Sequence, residues 1–330
     1  MSISPEIEDL NIRAKRYSET LQNIHTEISK IIVGQDKIIE DLILTLMAEG
    51  HVLLKGVPGL AKTLLIKTLA GCIDLGFTRL QFTPDLLPAD IIGTKIYDHN
   101  TTSFKTLKGP IFTNFVLADE INRAPPKVQS ALLEAMQEQQ VSIQGDTHHI
   151  QRPFFVMATQ NPIEMEGTYN LPEAQIDRFM FNLVMTYPKK EQEAEIIQRF
   201  TEGSVPQVTK IITINDLLEI QKFTHEVYVD ENIRNYIADI VDATRHPKEY
   251  KIKSGVNIEY GASPRASLWL ALGSKSRAIQ NGRGYVIPED VQSVAYQVLR
   301  HRIILTYEAQ ADNIITDNII EEILKAVKVP

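Results

Sequence analysis

The stretch Gly56-Val57-Pro58-Gly59-Leu60-Ala61-Lys62-Thr63-Leu64 follows the apolar run "HVLLK" (51–55) and leads into a second apolar run. Two glycines and a proline in a tight turn can aim backbone N–H groups at one point, and a helix opening there adds partial positive charge. A Lys62 ammonium beside those donors suits the terminal phosphates of a nucleotide, and the Thr63 hydroxyl suits Mg²⁺. The spacing is that of the phosphate-binding loop G-x-x-x-x-G-K-[ST], except that Ala61 stands where the second glycine is expected. Alanine is still small enough for a triphosphate to approach, and its presence argues against an obligatory positive φ at position 61. On this stretch alone, a glycine-rich turn with a surface lysine is the competing reading.

A second chemical signal follows. "VLADE" (116–120) is an apolar run ending in two acids, which places Asp119 and Glu120 at the carboxyl end of a buried strand, where ligands bind in open α/β sheets. Asp119 there suits Mg²⁺, and Glu120 suits polarisation of an attacking water. The alternative for this pair is an exposed acidic turn.

Positioning such groups requires a sheet. Five short apolar segments are spaced through the first half: 51–55, 79–83, 114–119, 153–159 and 179–187. Apolar on both faces and separated by helical or loop material, they read as buried strands of a parallel sheet. Ahead of them, Ile7, Leu10, Ala14, Tyr17, Leu21, Ile24, Ile28 and Ile31 fall in steps of three and four. They form one helical stripe, which predicts docking onto the domain that follows or, alternatively, a coiled-coil seam. Gly34 suits a left-handed stop to that helix.

From Lys189 onward the pattern is helical, with start signals at Asn215, Asp230, Ser263-Pro264, Pro288 and Thr316. The predicted organisation is an α/β domain over 1–188 and an all-helical domain over 189–330.

Composition narrows the classes further. The 330 residues carry a net charge of −8, which provides no overall basic field for a nucleic-acid backbone. A lone cysteine, Cys72, excludes a disulfide framework and a cysteine metal cluster, and reads as a core residue. The opening "MSISPEIEDL" is acidic and unlike a signal peptide, and no apolar run reaches membrane-spanning length, so a cytoplasmic protein is expected.

"LADEINRAPPKVQSALLEAMQE" (117–138) together with "ATQNPIEMEGTYNLPEAQIDRF" (158–179) resembles the MoxR family of AAA+ ATPases, over residues from about Ile32 to Val298. That family also commonly carries alanine at the position of Ala61. The resemblance implies a P-loop NTPase with a five-stranded parallel sheet in an αβα sandwich, followed by an all-helical lid. It implies ATP and Mg²⁺ as ligands. Asn161 matches the first sensor, beside the alternative of a turn-forming Asn before Pro162. Arg178 matches the arginine finger that reaches a neighbouring subunit's ATP, against the plain reading of an ion-pair partner for Asp177. Arg265 matches the second sensor, reaching from the lid to the γ-phosphate. Val33 and Gly34, in "IVGQ", match the segment on the adenine base and read equally well as a helix stop. Arg123 is placed near the subunit interface without an assigned role.

Two further segments lie where the family's helix-2-insert clade carries extra elements: 83–112, and 140–152 with a hairpin turn at Gly145-Asp146. In a ring such elements tend to face the pore. His148 and His149 on that hairpin point to opposite faces and read as exposed residues, not as a metal pair. The family implies a homo-oligomeric ring, with a hexamer as the expected size. It also implies protein clients, including von Willebrand factor A domain proteins, and work in maturation or metal insertion. A nucleic-acid motor or chelatase-type subunit of the same clade is the alternative, and a monomeric P-loop kinase leaves Arg178 and the lid without a task.

Overall fold

The structure, a computed structural model, describes residues 5–161, 167–202 and 207–330. The apolar runs at 51–55, 114–119 and 153–159 become β1 (Val52–Lys55), β5 (Phe115–Asp119) and β8 (Phe155–Gln160), buried on both faces. β2 (Phe77–Gln81) and β9 (Phe181–Val184) complete a parallel sheet in the order β2-β5-β8-β1-β9. β2 sits at the sheet edge, two residues earlier than its apolar pattern indicated. An edge strand faces solvent on one side, so it tolerates a charge such as Arg79.

The centre of the sheet decides the site. β1 is flanked by β8 and β9, and β8 by β5, all parallel. The carboxyl ends of β1, β5 and β8 therefore emerge side by side, bringing together three loops far apart in sequence.

Helices cover the sheet. α1 (Pro5–Ser29) buries Ala14, Leu21, Ile24 and Ile28 and packs on neighbouring helices of its own chain, so the stripe is a docking face and not a coiled-coil seam. α2 (Asp36–Met47) is almost wholly buried, and α3 (Lys62–Ile73) follows the loop after β1, carrying Cys72 into the core. Gly34 has a φ of +75°, but it lies in the link between α1 and α2, several residues beyond the end of α1.

The segment between β2 and β5 holds a short helix, α4 (Pro88–Ile92), and an antiparallel hairpin of β3 (Gly93–Asp98) and β4 (Ser103–Lys108). α5 (Pro126–Glu138) leads into a second hairpin, β6 (Gln140–Ile143) with β7 (Asp146–His149). Its turn is Gln144-Gly145, one residue before the expected pair. Both have positive φ, 45° and 92°, the mirror-image turn that matches strand twist. The Lys95–Asp146 ion pair at 2.8 Å joins the two hairpins. His148 sets its ring edge-on to Phe112 and His149 is exposed; among the described residues no group of three His, Cys, Asp or Glu could hold a metal.

α6 (Glu173–Ile176) precedes β9, after which the chain is mainly helical. α7 (Lys190–Thr201), α8 (Ile214–Glu226), α9 (Glu231–Arg245), α10 (Pro264–Gln280), α11 (Pro288–Leu299), α12 (Tyr307–Ala311) and α13 (Thr316–Ala326) are joined by a small ribbon of β10 (Ile258–Tyr260) and β11 (Ile304–Leu305). α8 begins one residue before Asn215. Thr213 caps it, its hydroxyl accepting from the Asp216 N–H while Asp216 reaches back to the Thr213 N–H at 2.8 Å, a reciprocal capping box. Asp230 and Ser263 cap α9 and α10 as expected. One apolar core runs from α1 and α2 through β1 and β9 into α8–α11, and buried Asp41 joins α2 to Arg277 of α10 and Gln297 of α11. No helix among the described residues is long and apolar enough to cross a membrane.

Candidate functional site

At the carboxyl edge of the sheet lies a cavity of about 400 Å³. Pro58, Gly59, Leu60, Ala61, Lys62, Thr63 and Leu64 line it from the loop, Asp119 and Glu120 from β5, and Asn161 from β8. Gly56 and Val57, counted with the loop, do not line it. The Gly56 carbonyl instead accepts the Lys62 ammonium, and Val57 packs on the core. Burial lowers the Lys62 pKa, opposed by the nearby Asp119 and Glu120 carboxylates.

Ala61 overturns one expectation. Its φ is +58°, a left-handed conformation that alanine was expected to exclude, at the residue preceding α3. That region costs a side-chain-bearing residue about 1–2 kcal/mol. The flanking elements hold the turn, since the Ala61 carbonyl accepts the Leu65 N–H at 2.9 Å to start α3. Glu120 is strained in the same way, with a φ of +56°.

Both acids are held. Thr159 of β8 donates its hydroxyl to Asp119 at 2.6 Å and accepts the Glu120 N–H at 2.9 Å, tying the pair to the next strand. Arg79 of β2 pairs with Asp119 at 2.7 Å and also lines the cavity. The Glu120 carboxylate accepts from Gln81 of β2 at 2.8 Å and from Arg123 at 2.9 Å. Arg79, Gln81 and Thr159 carry no motif that marks them in the sequence.

An apolar cavity of about 130 Å³ adjoins the first, sharing Gly59, Leu60, Ala61 and Leu64. Val33 lines it, with Ile32, Gln35, Pro188, Ile196 and Phe200. Gly34 does not line it and packs instead against the Gln192 side chain. A flat heterocycle beside a phosphate cradle fits this pairing of an apolar slot with a polar pocket. The Thr63 hydroxyl and Asp119 carboxylate in the polar part are hard oxygen donors, the type Mg²⁺ takes.

Arg178 and Arg265 lie elsewhere. Arg178 precedes β9, and β9 runs parallel to β1, so Arg178 sits at the amino edge of the sheet while the loop leaves the carboxyl edge. Strands of this length separate the two edges by about 13 Å. There it lines a different cavity of about 280 Å³ with His51, Met136, Arg265 and Trp269, which shares no lining residue with the loop cavity. Asp177 does not pair with Arg178: its carboxylate is taken by Ser263 at 2.8 Å, Arg302 at 2.9 Å and Arg265 at 3.1 Å. Among the described residues, the buried Nε of Arg178 has no hydrogen-bond partner. Arg265, expected to reach a γ-phosphate from the helical domain, is held beside Arg178 by that Asp177 contact.

His51 fixes the same edge. Its Nδ1 accepts the Val156 N–H at 3.1 Å and its Nε2–H donates to the Met136 carbonyl at 3.2 Å, which defines a neutral tautomer. Burial lowers its pKa from 6.5 to about 4. The unfolded chain therefore takes up this proton first as pH falls, so the stabilisation is complete above pH 6.5 and is lost as pH drops toward 4. Between pH 7 and pH 5 the loss is expected to be about 2 kcal/mol, read from urea unfolding midpoints. His51→Gln retains a donor and an acceptor and should flatten that slope; an unchanged slope would contradict the assignment.

The model described as the ATPase family associated with various cellular activities (AAA) matches residues 51–181, and the AAA lid domain model matches 254–323. Chaperone MoxR1 of Mycobacterium tuberculosis is 50% identical over 314 residues, 94% of this chain and 82% of that protein. YeaC of Bacillus subtilis is 45% identical over 92% of each chain. A crystal structure from Cytophaga hutchinsonii superposes with a TM-score of 0.91 at 49% identity over 98% of each chain. The motifs around Asp119, Asn161 and Arg178, the sheet that carries them and these relatives agree: the chain belongs to the MoxR family of AAA+ ATPases.

Proposed function

We propose that the protein hydrolyses ATP in a homo-oligomeric ring, with a hexamer as the expected size, and uses the cycle to remodel protein clients. One observation carries this reading: a cavity lined by Lys62, Thr63, Asp119, Glu120 and Asn161 at the carboxyl edge of the sheet, and two arginines, Arg178 and Arg265, at the opposite edge. In a ring, one subunit's amino edge faces the next subunit's loop, and both arginines act on the neighbour's ATP.

Within each subunit, Lys62 and the loop N–H groups hold the β- and γ-phosphates, and the slot at Val33 takes the adenine. Thr63 and Asp119 would hold Mg²⁺, which would supply neutralisation of the phosphate charge. Thr159 keeps Asp119 aimed at that position. Glu120 leaves Gln81 and Arg123 to accept a proton from the attacking water, while Asn161 orients that water. Arg178 of the adjoining subunit stabilises the charge that develops on the transferred phosphoryl group.

The clients are proteins. The relative named a chaperone supports this, as do the exposed apolar residues Tyr97, Phe104 and Leu107 on the β3–β4 hairpin. Maturation or metal insertion of complexes containing von Willebrand factor A domains is the family-based extension of this reading.

ATPase activity per subunit is expected to rise steeply with protein concentration as rings assemble. A turnover per subunit that stays constant from nanomolar to micromolar protein would exclude a site shared between subunits.

A further inference from the structure

Residue Arg178 is held in place from the helical domain. Arg302, just past α11, has a fully buried side chain and uses all five guanidinium donors. Its Nε donates to the Asp177 carboxylate at 2.9 Å. One terminal nitrogen donates to the carbonyls of Met180 at 3.1 Å and Val298 at 2.5 Å, the other to those of Asp177 at 2.8 Å and Phe179 at 2.6 Å. The next two residues back along the chain extend the grip. His301 Nε2–H donates to the Phe179 carbonyl at 3.0 Å, and Arg300 donates to the Asn182 carbonyl at 2.7 Å while pairing with Asp317.

These bonds bracket Arg178 on both sides. The sheet, by contrast, first holds this segment at Met180, whose N–H donates to the His51 carbonyl at 2.8 Å. The backbone of Asp177 and Phe179 is thus anchored to the end of α11, and Asp177 also carries Arg265 of α10. A buried guanidinium with every donor satisfied is a stiff link, because loosening any bond leaves a charged group short of a partner.

We propose that Arg302 is the positioning residue for Arg178: it fixes the arginine's backbone to α11, so that the aim of Arg178 toward the neighbour's ATP follows the helical domain. The inference rests on the reading of Arg178 as a residue presented to that ATP. It makes the end of α11 the path by which a shift of the helical domain reaches the adjoining active site.

Arg302→Lys keeps a charge but can supply fewer donors, without the planar fork. A misplacement of about 1 Å costs about 100-fold in rate, so kcat is expected to fall about 100-fold while the dissociation constant for ATP is unchanged. In an Arg178→Ala background the same substitution is expected to lower kcat no further, because the group it positions is already gone. A merely structural role predicts instead that the two losses multiply. A kcat for Arg302→Lys within twofold of the parent, or losses that multiply, would overturn the proposal. An Arg178→Ala variant with full kcat would remove the reading beneath it, which the single-variant comparison identifies separately. If Arg302→Lys does not yield soluble protein, Arg300→Met removes the tie to Asn182 at a half-buried position. It is expected to lower kcat about tenfold with the same absence of effect on top of Arg178→Ala, and an unaltered kcat there counts against the proposal.

Discussion

Arg178→Ala is expected to lower kcat about 10³- to 10⁵-fold and to leave ATP affinity at its own subunit unchanged. That corresponds to about 4–7 kcal/mol of transition-state stabilisation. The separation of effects follows from position: Arg178 lies at the amino edge of β9, outside the cavity that Lys62, Asp119 and Asn161 line. An arginine with a merely structural role there would give a different result. An exposed ion pair contributes about 0–1 kcal/mol and would show in the melting temperature, not in kcat. In any case Asp177, the nearest candidate partner in sequence, is already engaged by Ser263, Arg265 and Arg302. Steady-state kinetics combined with a fluorescent-nucleotide titration separates the two quantities.

Glu120→Gln is expected to retain ATP binding and to lose about 10²- to 10⁴-fold in turnover, the range of a positioned general base. The amide keeps the shape and the hydrogen-bonding reach toward Gln81 and Arg123 but cannot accept the water's proton. The strained φ of +56° at Glu120 is part of the argument. A backbone cost of about 1–3 kcal/mol persists where neighbours fix it, here through the Glu120 N–H held by Thr159 at 2.9 Å. Near-normal turnover in the Gln variant, measured by phosphate release, would remove Glu120 from that role.

How far the sequence reaches differs between the two edges of the sheet. β1, β5 and β8 were legible because each is a continuous apolar run, and a central parallel strand must be apolar on both faces. Once they are adjacent, Lys62, Asp119 and Asn161 have to converge, so the residues that line this cavity are largely legible in the sequence. The conformation of Ala61 was not. A positive φ is disfavoured for alanine locally, and only the geometry of the strand-to-helix turn enforces it. Arg79 and Gln81 were missed because edge strands lack the full apolar pattern, which displaced the expected β2 toward residues 79–83. Gly34 illustrates the limit of a short motif: its neighbour Val33 lines the apolar slot, while the glycine itself accommodates Gln192. Pro188, Ile196 and Phe200 complete that slot from a region read only as the start of a helical domain.

The location of Arg265 is the clearest case of long-range control. Ser263 and Pro264 correctly mark the start of α10, yet the Arg265 side chain is held by Asp177, 88 residues earlier. Family resemblance gave the residue a role at a γ-phosphate without saying whose. The parallel alignment of β9 with β1 is what assigns that role to the adjoining subunit in the reading given above.

The most direct test of a shared active site is to mix two inactive proteins, Arg178→Ala and Glu120→Gln, under conditions that let subunits exchange, and to measure ATP hydrolysis. Where a Glu120→Gln subunit presents its intact Arg178 to an Arg178→Ala subunit that retains Glu120, a complete site forms. The account predicts that the mixture regains activity well above either protein alone. A mixture no more active than the average of its components, with exchange demonstrated independently, would contradict it.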